Sequence, residues 1–134
     1  MTGSGESVRM RKLVVLVALV AMLVAGAASS AASIPPFPNI PGKWTHVEIN
    51  VRIGKKPHTL TLDRGRITQV SSAQLTLHEN DGSPGGTPVV IPLTSFANVR
   101  IYNIPATTSQ LRKGMTAMTM RIDGGPAVRI KVTR

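Results

Sequence analysis

The stretch Trp44-Thr45-His46-Val47-Glu48-Ile49-Asn50-Val51-Arg52-Ile53 alternates from one end to the other. Val47, Ile49, Val51 and Ile53 fall on one side of an extended chain, and His46, Glu48, Asn50 and Arg52 on the other. A period of two kept over this length specifies a half-buried β-strand. Downstream the alternation returns in shorter pieces. Gly54-Lys55-Lys56-Pro57 interrupts it, and His58 to Leu62 then sets Leu60 and Leu62 on one face. Asp63-Arg64-Gly65 reads as a second interruption. Beyond it Ile67 and Val70 stand three apart, which predicts a bulge or bend near Gln69.

Leu75 and Leu77 point inward from the next strand. The loop from Glu79 to Thr87 holds Asn80-Asp81-Gly82 and Pro84-Gly85-Gly86, turn chemistry that joins two antiparallel strands. Val89, Ile91 and Leu93 continue inward, while Pro88 and Pro92 remove ladder donors and predict a sheet edge. Val99 and Ile101 follow. Thr107 to Gly114 is the one helical turn, with a hydroxyl cap, Leu111 facing in and Gly114 to end it. Met118, Met120 and Ile122 make another inward row, Asp123-Gly124-Gly125-Pro126 a turn, and Val128, Ile130 and Val132 a last strand opposite Arg129 and Lys131. The fold class is all-β: about seven or eight short strands, in a small antiparallel barrel of OB-like type or a sandwich.

Upstream the chain changes character. Arg9, Arg11 and Lys12 precede an apolar run, Leu13 to Val24, and then the small residues from Ala25 to Ser33. A basic start, an apolar stretch and small residues at a cleavage site define a secretory signal peptide. Cleavage after Ala27 or after Ala32 fits, and the alternative is an uncleaved single-pass anchor, for which the run is short. Met10-Arg11-Lys12-Leu13 is by itself a compact opening of such a peptide, so translation starts at either Met1 or Met10. Residues 34–43, with four prolines between Ile34 and Gly42, read as a spacer. The organisation is therefore 1–33 signal peptide helix, 34–43 spacer and 44–134 domain.

The 134 residues carry a net charge of +10, no cysteine and four aromatic side chains, Phe37, Trp44, Phe96 and Tyr102. The missing cysteine excludes disulfides, thiolate metal sites and cysteine nucleophiles. Without residues 1–33, thirteen basic residues face five acidic ones and +8 remains. Outside the cytoplasm such a charge favours anionic lipid or cell-wall polymer.

A resemblance rests on particular residues. Arg64-Gly65-Arg66-Ile67-Thr68-Gln69-Val70, Leu75-Thr76-Leu77, Asp81-Gly82, Val90-Ile91-Pro92-Leu93, Leu111-Arg112-Lys113-Gly114-Met115 and Ala127 to Val132 together resemble bacterial extracytoplasmic domains of domain-of-unknown-function family 5666. The similarity covers about residues 64–132 and implies an oligonucleotide/oligosaccharide-binding-like small barrel without an established activity. Trp44 to Asp63 lies outside it and forms an additional hairpin.

For chemistry, the metal-ligating candidates are His46, Glu48, His58, His78, Glu79 and Asp81. His46 and Glu48 share one strand face and become a zinc or copper site if His58 comes alongside. His78 to Gly82 lacks the full oxygen set of a calcium loop. No nucleophile elbow, catalytic histidine pairing or isolated acid pair is present, and the glycine pairs stand in turns rather than before a helix. Nucleic-acid binding is disfavoured by the scarcity of aromatic stacking platforms. What remains is a basic face: Arg121, Arg129 and Lys131, extended by Arg100 and Tyr102. The expectation is a non-enzymatic, cofactor-free envelope or secreted module that contacts anionic components or a membrane-protein partner. The alternative is a metal-binding protein or metal-dependent enzyme using His46, Glu48 and His58.

Overall fold

The structure, a computed structural model, describes residues 34–80, 82 and 84–134 together with the backbone of Lys12–Val20. It is all-β, and its sheet is not closed. The strands are β1 (Lys12–Val20), β2 (His46–Ile53), β3 (Lys56–Val70), β4 (Gln74–Glu79), β5 (Thr87–Pro92), β6 (Asn98–Ile101), β7 (Ile104–Ala106), β8 (Thr116–Ile122) and β9 (Ala127–Thr133). Their order is β1-β2-β3-β8-β9-β6-β7, and the β4–β5 hairpin branches off β3. Two pairs, β1 with β2 and β6 with β9, run parallel, so the sheet is not antiparallel throughout. One 3-10 turn, Thr108–Gln110, precedes the buried Leu111. As expected from its prolines, β5 pairs only with β4 and forms an edge.

β3 organises the molecule because it is one strand of 15 residues rather than two short ones. Its first half pairs with β2 and its middle with β8, then it bends and its last residues pair with β4. The Asp63-Arg64-Gly65 interruption is absent. Gly65 is needed for close approach, not for turning, since a Cβ there would overlap the carbonyl of His78 on β4. The bend follows at once. Ile67 pairs with Leu77 and Gln69 with Thr76, which leaves Thr68 as the extra residue of a bulge, next to the predicted position. The β2–β3 turn is Gly54-Lys55, with Gly54 at positive φ. That two-residue turn sets Ile53 opposite Lys56 and, farther along, His46 opposite Asp63.

Both faces of the central strands are covered. On one, Ile67, Leu75, Leu77, Ile91, Val99, Leu111, Ala117, Ile130 and Val132 form a core beneath the β4–β5 hairpin. On the other, Val47, Ile49, Val51, Leu60, Leu62 and Met120 form a second core with Trp44. β9 serves both by a bulge. Met120 pairs with Arg129 but Arg121 with Ala127, so Val128 is the additional residue and turns to the second core.

The proline-rich segment is a strap across that second core. Phe37 and Ile40 pack on it, Trp44 Nε1 donates to the Ile40 carbonyl at 3.2 Å, and Arg64 lies 4.2 Å above the indole ring. Arg129 closes the far end, donating through Nε to the Pro35 carbonyl at 2.6 Å and through Nη2 to the Ile34 carbonyl at 2.9 Å.

Within the expected signal-peptide helix, Lys12–Val20 is instead extended and lies parallel beside β2. The run is rich in valine, which suits a strand wherever an unpaired edge is offered. The two cleavage motifs and both candidate start residues fall outside the described residues. No helix among the described residues is long and apolar enough to cross a membrane.

Candidate functional site

Beside the first core, on the sheet face away from Trp44, a polar group replaces the hydrocarbon. His46 and Asp63 are direct cross-strand partners on β2 and β3, and His46 Nδ1 lies 2.7 Å from Asp63 Oδ1. Asp63 is 0% exposed. Thr119, its partner on β8, is also buried, and its hydroxyl donates to the Asp63 carbonyl at 3.5 Å. Glu79, the last residue of β4, arrives from above and hydrogen-bonds the Asp63 carboxyl. Its backbone is gripped by Gly86, at positive φ, where a Cβ would collide with the Glu79 carbonyl. Together with Gly65 against His78, this puts a glycine on each side of the end of β4 and lets a carboxyl be buried there. Ligand atoms of His46, Asp63 and Glu79 lie within 4.8 Å of one another.

Two further charges frame the group. Glu48 Oε2 accepts from His46 Nε2 at 3.2 Å at the solvent side, where Glu48 is partly exposed. Arg121 Nη2 stands 3.8 Å from Asp63 Oδ2, beyond hydrogen-bond reach, and Oδ2 has no hydrogen-bond partner. The hydrogen bond to Asp63 raises the His46 pKa; burial opposes this, and the charges of Asp63 and Glu48 add to the rise. Burial alone would push the Asp63 carboxyl up, but its hydrogen bonds to His46 and Glu79 and the charges of His46 and Arg121 together hold it below the ordinary range.

These shifts have opposite signs in stability. The His46 contribution is complete below its ordinary pKa of about 6.5 and is lost as pH rises through the raised folded value. That of Asp63 is present above its ordinary value and is lost as pH falls through the lowered one. Asp123 behaves like Asp63, because it accepts from the Thr59 amide and then from His58. In chelator-treated protein the thermal midpoint falls as pH rises above the ordinary histidine value of about 6.5. A His46→Gln variant, measured by the same calorimetric series, loses that alkaline limb and keeps the acid one.

The residues singled out from sequence are partly regrouped. His46 and Glu48 are together, but His58 is not with them. It pairs with Val51 at the other end of the hairpin and lies 2.5 Å from Asp123 Oδ2. His78 Nδ1 donates to the Gly85 carbonyl at 3.0 Å, within its own hairpin. Asp81 falls outside the described residues. The basic face is also divided. Arg121 is turned inward to Asp63 and Arg129 is spent on the strap, because each sheet face that alternation would call outward is covered here. Arg100 and Lys131 remain paired across β6 and β9.

Those two belong to a second cluster at the β6–β7 turn. Tyr102 and Asn103 both have positive φ, 53° and 68°, the geometry of a type I′ turn. Arg100 Nη1 donates to the Asn103 carbonyl at 2.8 Å, Tyr102 N to the Val132 carbonyl at 3.0 Å, and Arg134 stacks 4.3 Å from the Tyr102 ring centre. Tyr102, Asn103, Lys131, Val132, Thr133 and Arg134 line an open recess of about 340 Å³. Ile104 next to the turn is largely exposed. Sequence reasoning found Arg100 and Lys131 but not Arg134. No family model matches the chain, and no curated protein or solved structure matches it.

Proposed function

We propose that the chain is an exported, non-catalytic β-module of the bacterial envelope that docks on phosphate-bearing anionic surfaces through the rim of Arg100, Tyr102, Lys131 and Arg134. Tyr102 carries the reading. A bulky L-residue in the left-handed region costs about 1–2 kcal/mol, and asparagine or glycine would suit the turn better. Yet a tyrosine stands there, 42% exposed, with Arg134 stacked on its ring and Lys131 lining the same recess. Strain kept at an exposed aromatic indicates a contact made by its side chain. An amphipathic ring beside cations and the exposed Ile104 suits a headgroup layer. The basic and apolar N-terminal segment supports export, and the net charge supports an anionic partner.

The test is co-sedimentation with vesicles of phosphatidylglycerol mixed into phosphatidylcholine, run beside purified wall polymer. Binding is expected at low salt and weakens as salt rises, with none to phosphatidylcholine alone. Tyr102→Asn relieves the turn, leaving stability equal or higher, and lowers binding at least about tenfold when combined with Lys131→Glu. Unchanged binding in that pair would sink the reading, and preference for wall polymer would reassign the surface.

A further inference from the structure

We infer that His46, Asp63 and Glu79 form a binding site for a single zinc-class divalent cation. Three ligands, one imidazole and two carboxylates, with their donor atoms within 4.8 Å are brought from three strands to one point. The independent sign is Asp63 Oδ2: a carboxylate oxygen buried in a fully covered residue, with no hydrogen-bond partner, beside this cluster. A buried carboxylate oxygen in that condition is costly unless a cation or donor meets it. Arg121 forms a long ion pair with it at 3.8 Å but no hydrogen bond.

The surroundings match what a metal requires. His46 presents Nδ1 toward Asp63 and Nε2 toward Glu48, so coordination through Nδ1 leaves Nε2–H donating to a carboxylate. Such an outer carboxylate fixes the imidazole's orientation and raises its basicity. Charge also closes. A dication with the carboxylates of Asp63 and Glu79 is neutral, which leaves Arg121 and Glu48 as one positive and one negative charge framing the cluster. The chemistry selects the ion: one imidazole and two carboxylates suit zinc, whereas calcium needs 6–8 oxygens and magnesium a largely hydrated oxygen shell. Three protein ligands leave one position for water, reached from the His46 and Glu48 side, where both side chains are partly exposed. The sheet around the site is built for holding it still. Asp63 sits mid-strand between β2 and β8, and the two glycines fix the end of β4 that carries Glu79.

The purified full chain, stripped with EDTA, is titrated with Zn²⁺ by calorimetry and with Co²⁺ by visible absorption. One saturable equivalent is expected, with a Co²⁺ ligand-field band and a higher thermal midpoint. His46→Gln and Glu79→Gln, each confirmed folded by circular dichroism, abolish the band, and Glu48→Gln weakens zinc about 10–100-fold. His58→Ala leaves affinity unchanged. Absence of saturable binding overturns the site, as does binding that survives in both folded ligand variants or that disappears with His58→Ala. The readout is independent of vesicle binding, which uses the opposite set of residues around Tyr102.

Discussion

Asp63→Ala is expected to destabilise the domain by about 3–5 kcal/mol, a large part of the total stability of a small domain. Asp63 is the acceptor for His46 at 2.7 Å and the counter-charge of Arg121, whose side chain is mostly covered. Removing it leaves a guanidinium with a buried, already unpartnered Nε and an imidazole without its acceptor. A buried charge stripped of its partner is more damaging than the pair was stabilising. Denaturant titration reads the loss as a lower midpoint at constant slope. The double variant Asp63→Ala with Arg121→Met recovers part of it, since no bare cation remains. A loss under about 1 kcal/mol for Asp63→Ala alone would mean that the cluster does not hold the sheet together electrostatically.

Trp44→Ala is the second large effect, about 3–5 kcal/mol for an indole removed from a packed core. Its consequence extends along the chain, because the indole shares the second core with Phe37 and Ile40 and bonds the Ile40 carbonyl, and is itself pinned to β3 by the Arg64 stack. Limited proteolysis should then cut within residues 34–43 long before the sheet is attacked. Arg129→Met separates the two components. It loosens only the Ile34–Pro35 end, so cleavage moves toward that end while the thermal midpoint changes little. Cleavage of the wild-type strap at the rate of an unfolded peptide would contradict its packing.

Much of this architecture is written in alternation. The Val47, Ile49, Val51 row and the Met118, Met120, Ile122 row both enter the second core, as their period predicts. Three things escaped, each for a physical reason. Gly65 resembles a turn glycine, but its function is to admit a carbonyl from a strand far along the chain, a contact that local sequence does not encode. Arg121 and Arg129 lie opposite apolar rows, and alternation reports only which side a residue takes, not that both sides are covered. Four prolines in residues 34–43 suggest only a spacer, yet Phe37, Ile40 and Trp44 supply the apolar anchors that keep the segment on the sheet. The candidate site was half legible. A two-residue turn at Gly54-Lys55 already implies His46 opposite Asp63 and His58 opposite Val51, so the correct carboxylate could have been counted out from the hairpin. Glu79 depends on the bulge at Thr68 and the bend of β3, and no local signal places it.

Arg129 bonds Pro35 and Ile34, 94 and 95 residues away along the chain, and β3 must wait for β8 before its central ladder exists. Neither core can be completed from the first half of the chain. Folds dominated by such distant pairings form slowly, in milliseconds to seconds. During synthesis the early strands therefore remain an open, threadable polymer until the last one has been made. Half-made chains would expose the Val47, Ile49 and Val51 row with nothing to cover it, and the completed β8 and β9 are what withdraw that row from solvent.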